Sequence, residues 1–82
     1  MKITVTLYGR YTTIAKTSQI HLTIPDDGTI WHIIETFTKQ FPEVARDRPR
    51  MMVTKNQQFA SPDTPVSSDD SISIAPPLVA GG

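Results

Sequence analysis

Thr29-Ile30-Trp31-His32-Ile33-Ile34-Glu35-Thr36-Phe37-Thr38-Lys39-Gln40-Phe41-Pro42 is the stretch that decides the fold. Ile30, Ile33, Ile34, Phe37 and Phe41 recur at i, i+3, i+4, i+7 and i+11. At about 100° per residue these side chains fall on one stripe of a helix. His32, Glu35 and Lys39 take the opposite face, and Trp31 sits at the flank. Thr29 has the chemistry of an N-cap, with Asp26 and Asp27 close enough to favour the positive end of the helix. The third residue on is His32 rather than Glu or Gln, so no capping box is expected. Pro42 disfavours helical angles at Phe41 and ends the helix.

A helix with one apolar stripe needs a sheet to cover, and the flanking sequence supplies strands. Lys2 to Tyr8 alternates, with Ile3, Val5 and Leu7 on one side and Lys2, Thr4, Thr6 and Tyr8 on the other. Tyr11 to Ser18 lacks a firm period and reads as a loop with room for a short helical turn. Gln19 to Pro25 alternates again, placing Ile20, Leu22 and Ile24 inward, and Pro25-Asp26-Asp27-Gly28 is a turn cluster. Beyond the helix, Pro42 to Pro49 is a polar connection. Met51-Met52-Val53 starts a third strand, Asn56-Gln57 a tight turn, and Gln58-Phe59 a brief return strand. Ser61 to Asp70 is a loop, and Ser71 to Ile74 is the last strand. With the first and last strands as parallel neighbours, the middle of the chain crosses one face of the sheet. The prediction is α+β: a mixed sheet packed on one main helix, the β-grasp arrangement of ubiquitin, with the last strand central.

The chain then ends Ala75-Pro76-Pro77-Leu78-Val79-Ala80-Gly81-Gly82. Pro76 and Pro77 fix their own φ and restrict the residues before them. Gly81 and Gly82 carry no Cβ and can pass through a channel too narrow for side chains. We expect a domain over 1–76 and a flexible Gly-Gly tail over 77–82, with the terminal carboxylate as the group on offer.

Composition narrows the function. Eighty-two residues make one domain with a small core and little room for an enclosed pocket. Eight basic and eight acidic residues give zero formal net charge, so nothing steers the chain toward nucleic acid or an anionic membrane. Arg46, Arg48 and Arg50 form a local basic run, read as a solvated turn in preference to a docking patch for an acidic partner. The absence of cysteine excludes disulfides, thiolate metal sites and cysteine nucleophiles. Met1 leads straight into a strand pattern, and no apolar run approaches a membrane span, so a cytoplasmic location is expected.

The residues that could carry chemistry do not converge. His21 and His32 fall on a strand and on the polar face of the helix, without a recurring ligand spacing. Asp26-Asp27 and Asp69-Asp70 sit in turn clusters, where Asp serves local hydrogen bonding. Ser67, Ser68, Ser71 and Ser73 lack a base, and there is no phosphate-binding glycine loop. No catalytic residue and no metal site is expected.

Thr29 to Ile34 followed by Phe41-Pro42, Val53 to Phe59, and Asp63 to Val66 followed by Asp69 to Ile74 resemble successive segments of the ubiquitin-like sulfur carriers, the MoaD/ThiS family. Pro76-Pro77 ahead of Gly81-Gly82 is most similar to the small subunit of molybdopterin synthase. One extra residue between Pro77 and Gly81, a missing loop glycine at Ser68-Asp69-Asp70, and Lys55 in place of an apolar residue depart from the common pattern.

The resemblance implies a carrier that is not itself an enzyme and binds no cofactor. An adenylating enzyme, using ATP and magnesium (Mg), would activate Gly82, and a sulfur donor would convert it to a thiocarboxylate. The large subunit of molybdopterin synthase would then receive the tail. Gly81 allows entry, Ala80, Val79 and Leu78 line the entrance, and Pro77 and Pro76 aim the arm. Phe59 and one of Tyr8 or Tyr11 are expected to add an apolar docking patch on the sheet face. Other outcomes consistent with the residues are a carrier for thiamine thiazole or tRNA thiolation, a protein modifier, or a β-grasp binding module with an inert tail.

Overall fold

A computed structural model describes residues 1–77. Five strands form one mixed sheet: β1 (Lys2–Leu7), β2 (Gln19–Thr23), β3 (Met52–Lys55), β4 (Gln58–Phe59) and β5 (Ile72–Ala75), in the order β2-β1-β5-β3-β4. The last strand lies at the centre, parallel to β1 and antiparallel to β3, as the alternation predicts. Register follows burial. Ile3 faces Leu22, Val5 faces both Ile20 and Ile72, and Leu7 and Val53 both face Ile74. Every residue of that set is buried, so a one-residue slip would turn the apolar set to water.

The main helix, α2 (Ile30–Gln40), lays Ile30, Ile33, Ile34 and Phe37 on this apolar face, and Phe41 packs at its margin. Glu35 and Lys39, on the polar face as expected, form an i, i+4 ion pair at 3.2 Å. The helix start differs from the prediction. His32 Nδ1 accepts the Thr29 N–H at 3.0 Å, so a capping box is present with imidazole where Glu or Gln usually stands. A neutral histidine nitrogen has the same acceptor capacity, and its ring lies edge-on to Trp31 at 5.2 Å.

Two further segments expected as connections carry helical turns, the first where room for a short one was expected and the second where a polar connection was. Arg10–Ala15 is a short helix, α1, anchored by Tyr11, which is 0% exposed. Pro42–Arg50 is a run of 3-10 turns. At three residues per turn, Val44 and Asp47 share one edge, and both are buried. The Asn56-Gln57 turn joining β3 to β4 has positive φ at both residues, 53° and 71°, the geometry that matches hairpin twist.

Candidate functional site

The site is where β5 leaves the sheet. Beside it, β1 ends at Leu7, and the Tyr8 N–H donates to the Ile74 carbonyl at 3.2 Å. The chain then turns at Gly9, with φ 58° and ψ −141°. That backbone state is open to glycine and strained for side-chain-bearing residues. The turn also makes room. A Cβ on Gly9 would lie 3.0 Å from Cγ and 3.3 Å from Cδ of Pro76, so the Pro76 ring occupies the space a side chain would fill. Pro76 and Pro77 are half-buried, and the stem of the tail rests on Gly9. Leu78, Val79, Ala80, Gly81 and Gly82 lie outside the described residues.

Immediately after Gly9, one carboxylate ties two segments together. The Arg10 guanidinium is ion-paired to Asp47 Oδ2, and the Tyr11 hydroxyl donates to the same oxygen at 2.8 Å. Arg10 also sits 5.4 Å from the centre of the Tyr11 ring, and that ring meets Phe37 edge-on at 5.3 Å. Burial, reinforced by the hydrogen bond to Asp47 and its negative charge, pushes the Tyr11 hydroxyl well above the usual tyrosine range. Asp47 thereby fixes α1, which follows the seat of the tail, to the 3-10 segment.

This contact corrects one expectation. Tyr11 does not belong to a docking patch, because its ring is core and its hydroxyl is committed to Asp47. Tyr8 and Phe59 do lie on the uncovered sheet face, 54% and 74% exposed. The ladder Phe59–Thr54–Ser73–Thr6 places Phe59 on the same face as Thr6, and Tyr8 lies two residues further along the chain. Partly exposed Met52 and Ala75, paired across β3 and β5, share that face.

The dispersed polar residues serve structure. His21 Nδ1 meets Thr4 Oγ1 across β1 and β2 at 3.0 Å. Asp26 pairs with the amino group of Met1 at 3.1 Å. Asp70 accepts the Ser67 N–H at 2.8 Å and an Asn56 amide hydrogen at 3.1 Å. Those bonds, the backbone one first, hold its carboxyl below the usual carboxylate range. Among the described residues no group of three or more His, Cys, Asp or Glu could hold a metal ion. No helix among them is long and apolar enough to cross a membrane.

The sequence marks Gly9 only as the end of the first strand, and it gives no role to Asp47. Gly9 could have been found by placing β1 parallel to β5, which sets the first strand's exit beside Pro76. Nothing local marks Asp47 as buried, since it stands between two exposed arginines.

Among curated protein sequences none matches the chain. Solved structures do. SAMP1 from Haloferax volcanii is similar with a TM-score of 0.82 at 17% identity, covering 100% of both chains. A molybdopterin converting factor, subunit 1, from Pyrococcus furiosus gives 0.82 at 16%, over 95% of this chain and 99% of that one. A complex of subunits 1 and 2 of the molybdopterin-converting factor from Helicobacter pylori contains a chain similar at TM-score 0.62 and 18% identity, over 99% and 100% of the two chains. At such identities these likenesses speak for the fold, the ubiquitin-like β-grasp. A protein-family model reaches further, matching residues 5–82 from within β1 through the final glycine. The chain belongs to the ThiS family.

Proposed function

We propose that the chain is a sulfur carrier whose working group is the carboxyl of Gly82. The observation that carries this reading is the seat of the tail. The central strand delivers Pro76 onto a glycine that leaves space for it, at the end of the sheet. The family match running through Gly82 supports the same reading. The body of the domain holds and presents the arm, and its own side chains take no part in the chemistry.

The carboxylate is anionic at neutral pH, with a terminal pKa of about 3.3–3.7, and is a poor acyl donor until activated. An adenylating enzyme would use ATP and Mg to convert Gly82 to an acyl-adenylate. The outer sulfur of a persulfide donor would then displace AMP to form an acyl disulfide, and a thiol reductant, itself oxidised to a disulfide with the donor's thiol, would cleave the S–S bond to leave the thiocarboxylate. We further propose that this sulfur goes to a cyclic pterin precursor, with the chain acting as small subunit of molybdopterin synthase in molybdenum or tungsten cofactor biosynthesis. Gly81 gives the arm its slim tip, while Ala80, Val79 and Leu78 contact the entrance of the large subunit. Tyr8 and Phe59 dock the uncovered face. The similarity to a chain solved in complex with its second subunit supports this choice of partner.

The experiment is reconstitution. Chain carrying a thiocarboxylate, mixed with a molybdopterin synthase large subunit and cyclic pterin precursor, is expected to yield the dithiolene product while reverting to carboxylate. Sulfur retained on the carrier there, but released to a thiazole-forming or tRNA-thiolating system, would reassign the pathway. A second reading, protein modification through the same activated Gly82, draws on the similarity to SAMP1, a small archaeal modifier protein. Conjugate ladders that disappear on deletion of Gly81-Gly82 would favour it. Full function in that truncated chain would indicate an inert tail.

A further inference from the structure

Trp31 is 46% exposed, although the other large apolar residues of α2 are buried. Its backbone N–H donates to the Pro62 carbonyl at 2.8 Å, which holds the 61–64 loop against the helix start. Between them lies a groove of about 290 Å³ lined by Trp31, Ile34, Arg48, Pro49 and Pro62. Ile34 is buried there, and the two prolines offer rigid apolar walls without N–H groups. The volume is just under the small end of ligand pockets, roughly 300–1,000 Å³, and suits an anchoring side chain better than an enclosed small molecule.

One wall of the groove is charged: Arg48 lines it, and Arg46 and Arg50 flank Arg48 along the chain. Arg46, Arg48 and Arg50 are all exposed, and no carboxylate lies within 4.0 Å of them among the described residues. The one acid inside that run, Asp47, faces inward to Arg10 and Tyr11. A chain of zero net charge therefore carries a local cationic edge beside an exposed tryptophan. Tryptophan and arginine are the side chains that most often dominate binding energy at interfaces.

We propose that this groove docks an acidic peptide segment of a partner protein, an apolar side chain seated against Trp31 and flanking carboxylates on Arg48 and the exposed arginines beside it in the chain. A second copy of the chain fits poorly, since a two-fold contact would bring the same arginines together. Single-stranded RNA fits poorly too, because such sites stack successive bases along a charged channel, and here one ring is available. The groove belongs to the helical layer, whereas Tyr8 and Phe59 lie on the uncovered sheet face. The two surfaces can therefore be separated by mutation.

The test is selection from a displayed random dodecapeptide library on the full chain, counter-selected on Trp31→Ala. Enriched peptides are expected to carry an excess of Asp and Glu around an apolar residue. Added to wild type, a synthetic copy should shift the emission of Trp31, the chain's single tryptophan. Fluorescence polarisation of the labelled peptide should show binding weakened at least about tenfold by Trp31→Ala. It should weaken further with salt and with glutamine at Arg46, Arg48 and Arg50. Circular dichroism checks folding, and Trp31→Phe with Arg48→Gln serves if alanine unfolds the chain. Peptides without acidic excess, or none dependent on Trp31, would overturn the proposal. So would a dodecamer RNA or self-association that uses these residues instead.

Discussion

Alanine at Gly9 should loosen the seat of the tail, and the cost can be divided in advance. Two effects act together. Holding φ at 58° and ψ at −141° with a side chain present costs on the order of 1–3 kcal/mol. The new Cβ, 3.0 Å from Pro76 Cγ, adds an overpacking penalty of roughly 1–3 kcal/mol unless the ring moves away. Domains of this size have about 0.05–0.15 kcal/mol of stability per residue, so Gly9→Ala removes a large share of the total. At about 4–8 °C per kcal/mol, Tm should fall by at least about 8 °C. Pro76→Ala alone loses only the ring's contact with Gly9 and should be mild. In the double variant the clash is gone and the backbone strain stays. Its loss should therefore be smaller than the sum of the single losses by the size of the clash, a coupling of about 1–3 kcal/mol. Urea unfolding followed by circular dichroism measures all four corners of the cycle. Strict additivity would refute the claim that the Pro76 ring rests on Gly9.

Tyr11→Phe should cost about 1–2 kcal/mol through the lost bond to Asp47. The Tyr11 hydroxyl titrates higher in the fold than in the unfolded chain, so its contribution is complete below pH 10 and fades as pH rises further. Unfolding curves from pH 8 to pH 12 should show an alkaline loss in wild type that is reduced in Tyr11→Phe, and equal losses would contradict the assignment. At the start of α2, His32→Ala should destabilise by about 0.5–1 kcal/mol while His32→Gln retains most of the cap, because glutamine can also accept the Thr29 N–H. Thermal melts that do not separate the two variants would remove the imidazole from the cap. Phe59→Ala should weaken large-subunit binding at least several-fold with Tm nearly unchanged, since the ring is 74% exposed; calorimetry showing unchanged affinity would take Phe59 out of the docking face.

The sheet and α2 were legible because burial imposes a period, and the periods of two and 3.6 are visible in Ile3-Val5-Leu7 and in Ile30-Ile33-Ile34-Phe37. The central place of β5 followed from the same pattern together with the crossover rule. By contrast, α1 has six residues and no N-cap side chain, so its existence depends on the tertiary burial of Tyr11. Pro49 and three arginines hid the 3-10 run, whose buried edge consists of Val44 and Asp47. Asp47 is held by Arg10 and Tyr11, 37 and 36 residues away, beyond the reach of any local pattern. His32 as a cap partner was missed because the capping-box signature names Glu and Gln, although the imidazole acceptor does the same work. Pro76-Pro77 stands out in the sequence, but the seat of Pro76 on Gly9 required the parallel pairing of β1 with β5.

The most direct measurement is the intact mass of the chain after incubation with an adenylating enzyme, ATP, Mg and a sulfide source, with fragmentation to locate the change. The account predicts a gain equal to the exchange of one oxygen for one sulfur, placed at Gly82 and absent when ATP is omitted. An unchanged mass with an adenylating enzyme that activates another ThiS-family protein, or sulfur placed anywhere other than the terminal carboxyl, would contradict it.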